Sequence, residues 1–168
     1  MRKIAEGQAH AILPVVRRWF EEAKMRDISV FNFPPKRKPA QDRIRKLGKG
    51  STCLLFSYDD RQLIGEFKVI NVKRVNYDEF QTLKKKAFEV GEARFPKQNE
   101  WCWIIEFNDL REFERPLSED ELRRVIAEVY GKSASLRPLH FTQVVDERLV
   151  NMVKTVMLIL QFLKKGEG

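Results

Sequence analysis

Three basic side chains, Lys36, Arg37 and Lys38, stand between Pro34-Pro35 and Pro39. Prolines on both sides forbid a helix, so the charges are expected on an extended loop. Arg43, Arg45, Lys46 and Lys49 continue the basic stretch, and Gly48 and Gly50 mark a turn at its end. From Arg17 to Lys49 there are eleven basic residues against four acidic ones, so +7 of the net charge of +8 falls in this window. A concentrated positive field attracts polyanions, and contact with phosphates is its commonest use. The competing reading is a solvated charged surface of the kind that carries ion-pair networks in thermophiles.

Aromatic and polar residues accompany these charges: Phe31, Asn32, Phe33, Tyr58, Phe95, Trp101 and Trp103. Aromatic faces stack on bases while cations hold phosphates, the combination used on single strands and extruded bases. On a strand Trp101 and Trp103 share one face, which is either core or the wall of a pocket. Motifs of common enzymes are missing: there is no Walker loop, GxGxxG, HExxH, GxSxG or clustered Cys/His set. No catalytic residue, metal site or cofactor is therefore assigned. The acidic pairs Asp59-Asp60 and Glu119-Asp120 have structural explanations, in a turn and at a helix start. Cys53 and Cys102 lie far from any CxxC spacing and read as buried free thiols; a disulfide would require their strands to be neighbours.

The elements that must position these residues are legible in outline. At 168 residues, 43% of them hydrophobic, the chain suits one domain over 1–168. Ala9 to Leu13 reads as a strand, with Pro14 opening a helix whose stripe is Val15, Val16, Trp19, Phe20 and Ala23. Ile28 to Phe33 is a second strand, followed by the basic loop 34–49. Thr52 to Tyr58 and Leu63 to Val72 form an antiparallel pair across Asp59-Asp60-Arg61-Gln62, and Gly65 inside the second run signals a bulge or a close backbone approach. Asp78 to Phe88 is a short helix and Trp101 to Phe107 an aromatic strand. Ser118 and Glu121 form a capping box, with Leu117 and Leu122 as its staple and Gly131 as the stop. Leu136 to Thr142 reads as a last strand. A terminal helix over about 146–164 docks through Leu149, Met152, Val153, Val156, Leu160 and Leu163. No signal-peptide order or membrane-length apolar run occurs, so a soluble, cytoplasmic protein with no membrane partner is expected.

The run Lys49-Gly50-Ser51-Thr52-Cys53-Leu54-Leu55-Phe56-Ser57-Tyr58, then Leu63-Ile64-Gly65-Glu66-Phe67-Lys68-Val69, resembles the K-G-D-x-hydrophobic core of PUA-like proteins, particularly the EVE and ASCH branches. It is similar also to an archaeal family of that group. Ile12-Leu13-Pro14, Pro116-Leu117-Ser118 and Leu136-Arg137-Pro138-Leu139 extend the likeness over most of the chain, although Ser51 stands where the pattern has Asp. The resemblance implies an α+β fold, a mixed β pseudo-barrel flanked by helices. It also implies a cleft near Asn32, Phe33, Ser57, Tyr58 and the segment from Arg94 to Trp101. Together with the charge it points to a non-catalytic binder of nucleic acid, RNA before DNA, or of a modified or unpaired base, with Lys36, Arg37, Lys38, Arg43, Arg45 and Lys46 on phosphates. Some ASCH relatives hydrolyse modified nucleosides with a Lys, Thr and Glu set; Lys68 and Glu66 fall in the relevant region, without a convincing full equivalent. A protein-interaction adaptor is the third reading, and a large exposed apolar patch on the final helix would favour it.

Overall fold

The computed structural model describes residues 8–35, 42–91 and 93–167. Six strands form one mixed sheet in the order β2-β5-β4-β3-β1-β6. They are β1 (His10–Val15), β2 (Val30–Asn32), β3 (Thr52–Ser57), β4 (Gln62–Asn76), β5 (Trp101–Ser118) and β6 (Gln143–Val145). β1 runs parallel to β3, and every other neighbouring pair is antiparallel. The helices are α1 (Arg17–Met25), α2 (Tyr77–Leu83), α3 (Glu119–Tyr130), the four-residue α4 (Lys132–Ser135) and α5 (Glu147–Glu167). The fold is α+β, with the sheet left open between β2 and β6.

Alternation along β1 and β3 divides the core. Ala11, Leu13, Val15, Cys53 and Leu55 join Trp19 and Phe20 of α1 on one face. Ile12, Leu54 and Phe56 join α3 and α5 on the other. A sheet covered on both faces needs strands apolar throughout, and β3 is buried from end to end. A smaller cluster of Val30, Val75, Phe80, Cys102 and Ile104 lies under α2. Both cysteines are buried free thiols. Their strands flank β4 and are not neighbours, and burial pushes both thiols up, that of Cys102 to about 12.

Several boundaries differ from the sequence reading. Pro14 does not open α1; it lies within β1 opposite Phe56, past the point where β6 pairing stops at Ile12, so its missing N–H is needed on one side only. The first turn of α1 is instead served from the β3–β4 turn, where Asp59 accepts from the Arg17 N–H at 3.0 Å. β5 does not stop at Phe107 but continues to Ser118, through residues whose outward charges mask the pairing with β4. The last strand is Gln143–Val145 rather than Leu136 to Thr142, and Leu136 is largely exposed. On α5 Leu149, Val150, Val153 and Met157 are buried and Met152, Val156 and Leu160 pack partly against the same core, whereas Leu163, expected inside, is exposed with Leu158, Ile159 and Phe162. No helix among the described residues is long and apolar enough to cross a membrane.

Two local features carry the architecture. Gly65 sits at shifts in register on both sides of β4. A Cβ there would fall 2.8 Å from the Phe20 ring and closer still to the Arg111 carbonyl. The Ser118 capping box is formed as read, and Glu121 also receives a guanidinium fork from Arg115 at 3.1 and 2.9 Å. That fork, with the Ser118 N–H, outweighs partial burial and holds the Glu121 carboxyl below its ordinary range.

Gly65→Ala is therefore expected to cost about 2 to 4 kcal/mol of unfolding free energy, toward the upper end of overpacking penalties, measured by urea titration. Wild-type stability would refute the close approach. Because the folded-state pKa of Glu121 is depressed, its contribution is present above the unfolded value of about 4.3 and is lost as pH falls through the folded value. The stability gap between wild type and Glu121→Gln should accordingly be larger at pH 7 than at pH 3.

Candidate binding cavity

Where β1 ends and β2 begins to diverge from β5, a cavity of about 110 Å³ opens on the α1 face of the sheet. Trp19, Phe31 and Phe33 supply its aromatic residues from the core, with Trp19 edge-on to Phe31 at 5.1 Å and Phe31 edge-on to Phe33 at 5.0 Å. Pro14, Val15 and Val16 line it from the end of β1, and Tyr58 from the end of β3. Two connecting segments complete the lining: Val90 and Ala93 from one, His140, Phe141 and Thr142 from the other. The volume is of the order of the roughly 150 Å³ apolar cavity that admits a benzene ring, so a planar heterocycle is a suitable guest.

The polar groups are few and constrained. Asn32 is fully buried, and its amide nitrogen donates to the Ala93 and Arg94 carbonyls at 3.0 and 2.9 Å. Both amide hydrogens are thereby committed, which fixes the side chain and leaves the acceptor Oδ1 as its only unused function. Asn32 Oδ1 is buried without a hydrogen-bond partner, and so is the donor Nε1 of Trp19. Two residues of one cavity lining thus carry one unpaired acceptor and one unpaired donor. Such atoms are rare in folded proteins, since each costs about 1 to 3 kcal/mol when left unsatisfied. Arg43 brings positive charge to the lining, one guanidinium nitrogen donating to the Thr142 carbonyl at 2.8 Å.

Of the residues read from sequence, Asn32, Phe33, Tyr58 and Arg43 come together here. Ser57 does not: it is buried, and its hydroxyl is within hydrogen-bond reach of Asp59 and Asp60 at 2.7 and 3.0 Å, tying down the hairpin turn. The Arg94 side chain forks onto Glu100 away from the cavity, its carbonyl serving Asn32 instead. Trp101 lies outside the lining and is 43% exposed. Arg45 is exposed beside Asp42 at 3.6 Å, and Lys46 borders a separate depression with Arg43 and Arg137. Lys36, Arg37 and Lys38 lie outside the described residues. Sequence reasoning places Trp19 wholly in the core and reads His140 to Thr142 as strand, and so misses both; neither has a local pattern that announces a cavity. Ser51, in place of the Asp of the resembling pattern, donates to the Ala9 carbonyl at 2.6 Å and accepts from Gly48 N–H, closing the turn before β3.

The set of Lys68, Glu66 and a threonine does assemble, but elsewhere. Lys68 Nζ lies 2.5 Å from Thr52 Oγ1, and Glu66 lies 3.1 Å from Lys154 of α5. These side chains lie on the face opposite the cavity, and Thr52 and Glu66 are almost completely buried. No group of three or more His, Cys, Asp or Glu side chains among the described residues is placed to hold a metal.

The open mixed sheet, covered by helices on both faces, has a PUA-like fold. Solved structures with this fold include ASCH from Zymomonas mobilis, with a TM-score of 0.65, 11% identity and coverage of 87% of this chain and 94% of that one. Human THYN1, solved in complex with DNA containing 5-methylcytosine, superposes with a TM-score of 0.59 at 12% identity, covering 89% of this chain and 98% of that one. The N-terminal domain of Staphylothermus marinus McrB gives 0.52 at 12% identity, covering 92% and 98%. No protein-family model matches the sequence, and no curated protein matches it.

If the cavity is open to solutes, occupancy should raise stability by mass action. The expected outcome is a rise of the melting temperature with millimolar nucleobase or nucleoside in wild type, abolished in Ala93→Phe, which fills the cavity from its edge. An equal rise in both proteins would place the guest elsewhere.

Proposed function

We propose that the protein binds nucleic acid by taking one unpaired or modified base into the Trp19–Phe31–Phe33 cavity while basic side chains hold the phosphates on either side. The observation that carries this reading is the pairing of a buried unpartnered acceptor, Asn32 Oδ1, with a buried unpartnered donor, Trp19 Nε1, in one aromatic lining. A base edge supplies both complements: an amino or imino N–H for the acceptor, a ring nitrogen or carbonyl for the donor. Tyr58 and Phe33 offer ring faces, and Arg43 brings charge to the same lining. The net charge of +8, concentrated around residues 17–49, supplies the field that draws in a polyanion. Nucleic acid as the ligand class is supported by the human THYN1 complex with methylated DNA on the same fold. RNA is the favoured polymer because its loops and ends present unstacked bases without the cost of extrusion.

This assignment makes the protein a reader with no catalytic step. The alternative of nucleoside hydrolysis would need Lys68, Thr52 and Glu66 to reach the bound base. Their place on the opposite face, with Thr52 and Glu66 buried, argues against that.

Fluorescence anisotropy with single-stranded RNA, single-stranded DNA and duplex DNA carrying 5-methylcytosine tests the proposal. Tyr58→Ala, verified as folded, should weaken binding by on the order of 1 to 3 kcal/mol, because it removes a ring on which a base stacks. A Lys36, Arg37, Lys38 triple alanine variant should lower the slope of log affinity against log salt by about 0.7 to 0.9 for each phosphate that is no longer neutralised. The reading fails if the wild type binds none of the three polymers at low salt, or if both variants bind them as the wild type does.

A further inference from the structure

Resting on that reading, we propose that Trp101 and Arg74 form a second stacking platform outside the cavity, which holds the base adjacent to the captured one in a bound single strand.

Along β5, Phe107, Ile105, Trp103 and Trp101 alternate onto the α1 face of the sheet. Phe107 and Ile105 are buried in its core and Trp103 packs partly against it. Trp101, the outermost of the row, is 43% exposed. The Phe33 N–H donates to the Trp103 carbonyl at 3.0 Å, so a residue of the cavity lining is tied directly to this row. Trp101 is two strand residues further along, about 7 Å at the usual rise. A chain with one base in the cavity passes Trp101 within one or two nucleotides.

Arg74, opposite Trp103 in the register, places its guanidinium 4.8 Å from the centroid of the Trp101 ring. Several arginines of the molecule are neutralised, Arg94 by Glu100, Arg115 by Glu121 and Arg123 by Glu119. Among the described residues, no carboxylate pairs with Arg74, whose contact is the indole. Stacking fixes the plane of the guanidinium and leaves its edge donors directed at solvent, where a phosphate can meet them. An exposed indole backed by a cation is a preorganised surface for a base.

The backbone under the platform is also fixed. Glu100, immediately before Trp101, receives the Arg94 fork at 3.0 Å twice and the Lys97 N–H at 2.8 Å. The other end of the same segment, at Ala93 and Arg94, is held by the buried amide of Asn32. Cavity and platform are thus the two ends of one clamped segment, residues 93–101.

The test compares two probes: whichever homopolymeric RNA pentanucleotide binds wild type best, and its own nucleoside 5′-monophosphate, which can fill only the cavity. Trp101→Ala, an exposed position where folding is not at risk, should weaken the pentanucleotide roughly 5- to 150-fold, the range of one base–aromatic stack, and leave the monophosphate unchanged. Trp101→Phe should recover most of that affinity, and Arg74→Ala should lower the salt slope for the pentanucleotide by about 0.7. Wild-type pentanucleotide affinity in Trp101→Ala overturns the platform while the cavity reading stands. Equal weakening of both probes overturns it too, since Trp101 would then act through the cavity. A wild type that binds neither probe overturns both readings.

Discussion

The backbone of β4 passes α1 and β5 so closely at residue 65 that no side chain fits between them, and the seating of α1 on the sheet depends on that contact. With hydrogen at this position, the Phe20 ring rests on the strand and α1 is drawn against the sheet. The next ring along the helix, Trp19, is then set edge-on to Phe31, where it becomes part of the cavity lining. Register shifts on both sides of β4 at the same level let the strand bend there.

Parts of this are legible in the sequence because they depend on neighbours in the chain. The Ser118–Glu121 box is a reciprocal pair three residues apart, and the hairpin of β3 and β4 is written in two apolar runs joined by a polar turn. The glycine inside the second run marks the close approach without naming its partners. Parts that depend on distant residues are not legible. The outer half of β5 is charged and looks like a loop until β4 is laid beside it. The segment 136–142 looks like a strand, yet β6 starts only at Gln143 and the preceding residues turn to line the cavity. Asn32 carries the groups that can read a base edge, but its two bonds to Ala93 and Arg94, which decide which half of the amide remains available, connect residues some sixty positions apart.

The two faces of the sheet divide the polar chemistry. Among the residues that line the cavity the unpaired atoms are neutral, the amide oxygen of Asn32 and the indole nitrogen of Trp19. On the α5 face the buried His10 accepts from the Thr52 N–H and its Nε2 has no hydrogen-bond partner, while a buried carboxylate lies near cations, Glu66 being 3.1 Å from Lys154 and 3.5 Å from Arg111. A buried ion pair of that kind contributes little net stability but is costly to break, and so fixes which helix residues can lie over the sheet. Neutral unpaired groups do the reverse: they leave a local deficit that a visiting molecule can fill.

The cavity is assembled from two kinds of material. Its rings belong to the scaffold, since Trp19 and Phe31 are also core residues. Much of its border comes from the connecting stretches around residues 90–93 and 140–142. Insertions or exchanges in those stretches would reshape the opening without disturbing a strand pair, whereas a change to either ring would be felt throughout the core. Selection can therefore reshape the opening while the architecture stays constant, and lineages can share this fold long after their sequences have drifted apart.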